Sequence, residues 1–289
     1  MTTVERIVEL IAATSSSLPE DVEAVLRRSL VRERRAKNAA AALNLSTILD
    51  NCRLARCRRT PLCQDTGTLA FYVHESLRRR VTPEVLKKAV AVATEKGYLR
   101  KNTIDSLDGH SYDDNVCDGA PVVHYYSTTQ LPNYSTSQLP NFSTSSVTLL
   151  MKGGGSENMS RQYSLPDAAL GAGRDLEGVR RCVLDAVVKA QGYGCAPGIL
   201  GVCVGGDRAT AYETAKCQLL RPLDEKQSAF ESRLLREANS LRIGPMGLGG
   251  KTTLLGVKVA FRPRVPASFF VTVAYMCWAC RRRTMEIKG

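Results

Sequence analysis

Apolar residues recur with a helical period over the first part of the chain. In residues 3–13, Val4, Ile7, Val8, Ile11 and Ala12 follow the i, i+3, i+4 spacing of one helix face. Pro19-Glu-Asp-Val22 opens a second helix, with proline and acids in its first turn. The alanine-rich run 36–49 predicts a third, ending near residues 51–58. The period then changes. Residues 68–74 (Thr-Leu-Ala-Phe-Tyr-Val-His) read as a strand, and Thr82-Pro-Glu-Val85 caps a helix running to about Lys96, with Gly97 as its stop. Helical spacing returns at 175–191, where Val179, Cys182, Val183, Ala186, Val187 and Ala190 share one side, and again at 209–220 and 226–241. Residues 121–125, 147–151, 199–204, 252–261 and 267–275 are apolar or β-branched runs that predict strands. Strands and helices mix without regular βαβ alternation. The fold class expected is therefore α+β, a helical N-terminal region (1–57) followed by a mixed helix and sheet region, all within one domain spanning 1–289.

Residues 126–146 break every period. Tyr-Ser-Thr-Thr-Gln-Leu-Pro-Asn133 recurs as Tyr-Ser-Thr-Ser-Gln-Leu-Pro-Asn141, then as Phe-Ser-Thr-Ser-Ser146. Two and a half copies of an octapeptide are too few and too short for a solenoid. Prolines at this spacing also discourage pairing inside a sheet. The segment is expected to be a surface insertion between two strands.

Composition narrows the classes. An apolar fraction of 44% is ordinary for a soluble domain. The longest apolar stretches fall short of a membrane span, and the N-terminus has no signal core, so a cytoplasmic location is expected. Ten cysteines without an export signal are not expected to form a disulfide framework. Zinc spacing is absent, because Cys277 and Cys280 have no second CxxC pair and His74, His110 and His124 do not form HExxH. The net charge of +12 admits a nucleic-acid binder. It fits a site for a small dicarboxylate, or an acidic partner chain, equally well.

Three cysteines stand apart from the apolar stripes. They are Cys63 in Pro61-Leu-Cys-Gln-Asp-Thr-Gly67, Cys195 in Gly192-Tyr-Gly-Cys-Ala-Pro-Gly198, and Cys277 in Tyr275-Met-Cys-Trp-Ala279. Each lies beside turn-formers or polar residues that can present a thiolate. Three thiolates on a four-iron cluster would leave one iron open to act as a Lewis acid. Cys182 and Cys203 read as core, and Cys52, Cys57, Cys117, Cys217 and Cys280 as structural or incidental. Asp65, next to Cys63, is placed to exchange a proton; the plainer reading of this turn is an Asx-turn before a strand. Lys152-Gly-Gly-Gly-Ser156 can present backbone N–H groups to an anion, or can simply be a turn. Gly244-Pro-Met-Gly-Leu-Gly-Gly-Lys-Thr-Thr253 approaches a phosphate loop. It carries Pro245 where that motif needs glycine and lies between a helix and a strand, the reverse of the usual order.

Taken together and in order, these motifs resemble the α subunit of the two-subunit iron-sulfur hydro-lyases, the class I fumarate hydratase and L(+)-tartrate dehydratase family. The matching pieces are Pro61–Thr68, Lys152–Met159, Cys195-Ala-Pro197 with Gly205-Gly206, Gly244–Thr253 and Pro266–Ala279, which together cover roughly residues 20–285. The resemblance implies a [4Fe-4S] cluster on Cys63, Cys195 and Cys277. It implies Asp65 as the catalytic proton-transfer residue, and Gln64, Arg100, Gly153, Gly154, Gly155 and Ser156 as substrate-binding positions. It implies reversible dehydration of a 2-hydroxy dicarboxylic acid, malate/fumarate or tartrate/oxaloacetate. A separate β subunit is expected to complete an αβ or α2β2 assembly. The competing reading is a phosphate-loop-like nucleotide- or nucleic-acid-binding basic protein without iron. This chain departs from the family pattern at Asn115-Val-Cys-Asp-Gly-Ala-Pro121, at the repeat, and at Val265, where the family often carries histidine.

Overall fold

The structure, a computed structural model, describes residues 1–127 and 144–287. The repeat expected at 126–146 therefore lies outside the described residues except at its two ends.

Three helices lead: α1 (Thr3–Ser16), α2 (Glu20–Arg35) and α3 (Ala39–Arg58). A reciprocal Thr2–Glu5 capping box starts α1, and Arg59 in the left-handed conformation ends α3. Strand β1 (Thr68–His74) has the predicted bounds, and α4 (Pro83–Glu95) follows its Thr82 cap. Next come the short hairpin β2 (Thr103–Ile104) and β3 (Ser111–Tyr112), then β4 (Val122–Tyr126), β5 (Ser146–Lys152), α5 (Gly154–Asn158) and β6 (Arg161–Ser164). The chain continues as α6 (Leu176–Ala190), β7 (Gly198–Val204), α7 (Arg208–Gln218), α8 (Ala229–Ser240), β8 (Leu254–Phe261), β9 (Phe270–Met276) and β10 (Arg281–Glu286).

Two four-stranded sheets organise these elements. The first has the order β10-β5-β1-β4 and the second β6-β9-β7-β8. Each mixes parallel and antiparallel neighbours, as expected of α+β. Helices α1 and α4 cover the outer side of the first sheet, burying Ile7, Leu10, Ile11, Leu86 and Val90 against Phe71 and Leu149. Helices α6 and α8 pack on the second sheet through Val179, Val183, Val187 and Leu234. A third apolar cluster joins the sheets, holding Tyr72 and Leu150 of the first with Ile199, Cys203 and Ala274 of the second, and with α2, α3 and α7. Among the described residues no helix is long and apolar enough to cross a membrane.

Strand ends decide where chemistry can gather. In the first sheet, Thr68 at the start of β1 faces Lys152 at the end of β5, and Arg281 at the start of β10 faces Met151. In the second, Ile199 near the start of β7 faces Met276 at the end of β9. The link from β9 to β10 runs from the second sheet to the first. The segments before β1, after β5, before β7 and after β9 thus meet at one end of both sheets.

Four elements are not legible in the sequence: β6, α5, the hairpin β2–β3 and, most consequentially, β10. The arginine run Arg281–Arg283 carries no strand signal, yet it is a strand. Arg282 reaches Asp21 Oδ2 at 2.5 Å, and Arg283 donates to Ser17 Oγ at 2.9 Å.

Candidate functional site

Cys63 precedes β1 in the bend 62–64, Cys195 precedes β7, and Cys277 follows β9. The antiparallel register of β7 and β9 brings the last two together, and Trp278 N–H donates to Cys195 O at 3.3 Å. All three are free thiols. They lie within electrostatic reach of one another. Desolvation, then the nearby Cys277, Cys63 and Asp65, push the Cys195 thiol up. Burial pushes the Cys277 thiol up, with Cys63 adding to the rise; a bond from Ser156 and the charge of Arg281 act the other way.

Glycines make these approaches possible. Gly67 has φ +73°, and a Cβ there would lie 2.4 Å from Lys152 O, so the Cys63 turn rests directly on the end of β5. A Cβ on Gly198 would meet the Tyr275 ring hydroxyl at 2.5 Å, which explains the small residues flanking Cys195. Cys195 itself sits at φ +48°.

The remaining sequence-predicted residues fall around the same point. Asp65 N–H points to Cys63 Sγ at 3.4 Å, and Asp65 Oδ1 accepts from Asn102 Nδ2 at 3.2 Å. Asp65 Oδ2 lies against Gly153, where a Cβ would stand 2.8 Å from it. Gln64 and Arg100 are exposed. The backbone of Arg100 is fixed to this turn, its N–H donating to Thr66 Oγ1 at 2.9 Å and its carbonyl accepting from Thr66 at 2.7 Å. The glycine-rich segment is not a simple loop. Gly153 is the N-cap of α5, Gly154 and Gly155 are exposed, and Ser156 is buried with its hydroxyl accepting from Cys277 N–H at 3.1 Å.

Sequence reasoning quoted Lys152 and Glu157 within a motif without giving either a role of its own, and missed Lys216. Buried Lys152 and the partly exposed Lys216 both pair with Glu157. Burial holds the Lys152 ammonium below its ordinary range. Burial would raise the Glu157 carboxyl, but the two ammoniums outweigh it and hold it low. Asn102 and Arg281 also carry no motif. The alternation of β10 could have separated Arg281 from Arg282, had that strand been recognised.

The structural cysteines behave as expected. Cys52, Cys182, Cys203 and Cys280 are buried. Burial pushes Cys52, Cys182, Cys203 and Cys217 to about 12. Among the described residues no three His, Cys, Asp or Glu side chains are grouped so as to hold a single metal ion. Val265 is exposed and precedes β9, whereas Cys277 follows it. The seven residues of β9 lie between them in the chain.

The phosphate-loop reading does not survive the geometry. Glu33, fully buried on α2, accepts from Lys251 N–H at 2.7 Å, Thr252 Oγ1 at 2.6 Å and Asn38 Nδ2 at 2.6 Å. The chain's own carboxylate takes donors that a phosphate would need. The basic runs are also partly spent on internal pairs, Arg56 with Glu23 and Arg59 with Glu9 among them.

What emerges is an α+β protein in which thiols from the ends of both sheets lie near one another. A family model described as fumarate hydratase (Fumerase) matches residues 4–286, and the chain belongs to that family. It is 44% identical, over 98% of its length and 54% of the other's, to a protein of Geobacillus stearothermophilus named as a class I fumarate hydratase. It is 30% identical to a protein of Methanocaldococcus jannaschii named as an L(+)-tartrate dehydratase α subunit, over 98% of this chain and 96% of that one. The corresponding figures for the L(+)-tartrate dehydratase α subunit of Escherichia coli are 28%, 98% and 90%. The chain therefore spans about half the length of the Geobacillus relative and nearly all of the two α subunits.

Proposed function

We propose that this chain, taken as one domain, is the cluster-bearing part of a hydro-lyase that reversibly dehydrates a 2-hydroxy dicarboxylic acid, and that it works in the cytoplasm. The observation that carries the reading is the convergence of three free thiols from three distant segments beside one carboxylate. The donor set fits a [4Fe-4S] cluster. Its thiolates would each take a separate iron, so they need not crowd around one ion. Cys63, Cys195 and Cys277 would hold it. When bound, it supplies a Lewis-acid iron for a substrate hydroxyl.

The chain's own groups do the rest. Asp65, anchored at Oδ1 by Asn102, keeps Oδ2 for moving the proton of the carbon next to the hydroxyl. Gln64 and Arg100, both exposed, would hold substrate carboxylates. The segment Gly153–Ser156 would line the opposite wall, with the Ser156 hydroxyl keeping Cys277 in place. Substrate is malate/fumarate or tartrate/oxaloacetate, in keeping with the names of the relatives. Two relatives are named α subunits and another is about twice as long, which supports a second part, a β-type partner in an αβ or α2β2 assembly.

Iron and sulfide analysis of anaerobically prepared protein tests the reading. About four irons per chain are expected. Cys63→Ala, Cys195→Ala or Cys277→Ala should each abolish cluster binding, while Cys182→Ala, inside the α6 stripe, should leave it. Equal iron in the wild type and the triple variant overturns the assignment.

A further inference from the structure

Arg281 is the largest fully buried side chain of the described residues, at 1% exposure. Among the described residues its Nε and Nη1 have no hydrogen-bond partner and no carboxylate forms an ion pair with it, whereas Arg282 has Asp21. Taking a charge out of water without a partner is costly, and an orphaned buried cation calls for something that offsets it. Its surroundings supply a candidate. A Cβ on Gly153 would lie 3.9 Å from Arg281 Nη2 and 2.8 Å from Asp65 Oδ2, so the guanidinium approaches the wall that faces the proposed base. Its charge also acts on the thiol of Cys277, four residues earlier. The positive charge thus lies behind Gly153 and is sealed from solvent.

We propose that Arg281 is the resident counter-charge for an anionic iron–sulfur–thiolate assembly at Cys63, Cys195 and Cys277. The proposal rests on the cluster reading above. Arg281 is a positioning residue, since its buried atoms are closed to substrate. Two opposite consequences follow from one charge. In metal-free protein no cluster offsets the buried guanidinium, and the cation weakens the fold. In loaded protein the same cation holds the negative assembly and favours its reduced form, because added electrons sit nearer a positive charge.

The test compares wild type, Arg281→Met and Arg281→Lys, each reconstituted anaerobically with iron and sulfide. Three readouts are taken: iron loss to a chelator, cluster reduction potential, and melting of the metal-free chain. The Met variant should lose iron at least about tenfold faster, a change worth about 1.4 kcal/mol. Its potential should move in the negative direction, and its metal-free form should melt at or above the wild-type temperature. The Lys variant should retain iron like the wild type. Should the Met variant fail to fold, Arg281→Gln, which also removes the charge, is read in the same way. Unchanged iron retention and potential in Arg281→Met overturn the inference. So does a Lys variant that loses iron as fast as the Met variant, or a metal-free Met variant that melts below the wild type. A wild-type chain that binds no iron overturns the cluster reading and this inference with it, a result distinct from wild type and Met variant binding alike.

Discussion

Asp65 is held by a side chain at one oxygen and lies against glycine at the other. Asn102 donates to Oδ1, and Oδ2 looks toward Gly153 with no side chain between them. A carboxylate fixed in this way can present one lone pair to a substrate carbon without losing its orientation. Asp65→Asn keeps the shape and the Asn102 contact but removes the titratable proton. In the assembled enzyme it should lower kcat by about 10²–10⁴, the usual range for a lost acid–base group, with iron content unchanged. Steady-state kinetics beside iron analysis check this. A variant that loses iron as well would place Asp65 in the scaffold.

At the scale of elements, paired strand ends and helix pairs carry most of the testable content. Strands β4 and β5 flank β1, and Tyr126 at the end of β4 and Val147 near the start of β5 sit opposite His74 and Val73. The two chain ends that bound residues 128–143 therefore leave the sheet about 10 Å apart, two strand spacings. A four-residue Gly/Ser link should span that gap. Replacing 128–143 with it should move the melting temperature by only a few degrees, since loop length changes stability by about 0.6 kcal/mol per doubling. Large loss of soluble protein would mean that the repeat packs. Helices α6 and α8 meet through Glu177, Arg180, Arg233 and Glu237. The Arg180 guanidinium, chiefly, lowers Glu177 from 4.5 to about 2. A carboxyl depressed in the folded state stabilises it above the unfolded value and loses that contribution as pH falls from 4.5 toward 2. Glu177→Gln should therefore melt slightly below the wild type above that window and converge with it as pH falls through the window, flattening part of the fall. The effect should be small, because the pair is solvent-exposed and screened. A melting series against pH decides it.

For the whole molecule the inventory is what matters. This chain offers three thiols, one anchored carboxylate, an exposed arginine and a glycine-lined wall. Val265, where the resemblance leads one to expect histidine, is exposed and precedes β9. Dehydration needs both a base at carbon and a route for the hydroxyl proton, in a site closed to water. Gln64 and Arg100 are still exposed in the chain alone. Iron-loaded chain alone should thus be nearly inactive toward malate and tartrate, and adding the second part should restore turnover. Rates of about 10 s⁻¹ or more from the isolated chain, ordinary for an enzyme, would show that the site is already complete.

The sequence by itself determined the helices and strands whose side chains follow a clean period. It also determined the α+β class and the three cysteines that stand outside every apolar stripe. Those features are local: a helix face, a strand alternation or a turn residue is written in neighbouring positions. Tertiary structure alone decided the rest. Arg281 looks like its two neighbours until β10 pairs with β5 and turns it inward. Asn102 means nothing until Thr66 and Arg100 tie its segment to the Cys63 turn. The Gly244–Thr253 loop looks like an anion site until Glu33, over two hundred residues earlier in the chain, occupies it. Partners so distant in sequence leave no periodic signal in either segment, so only the folded register of the strands reveals which groups share a site.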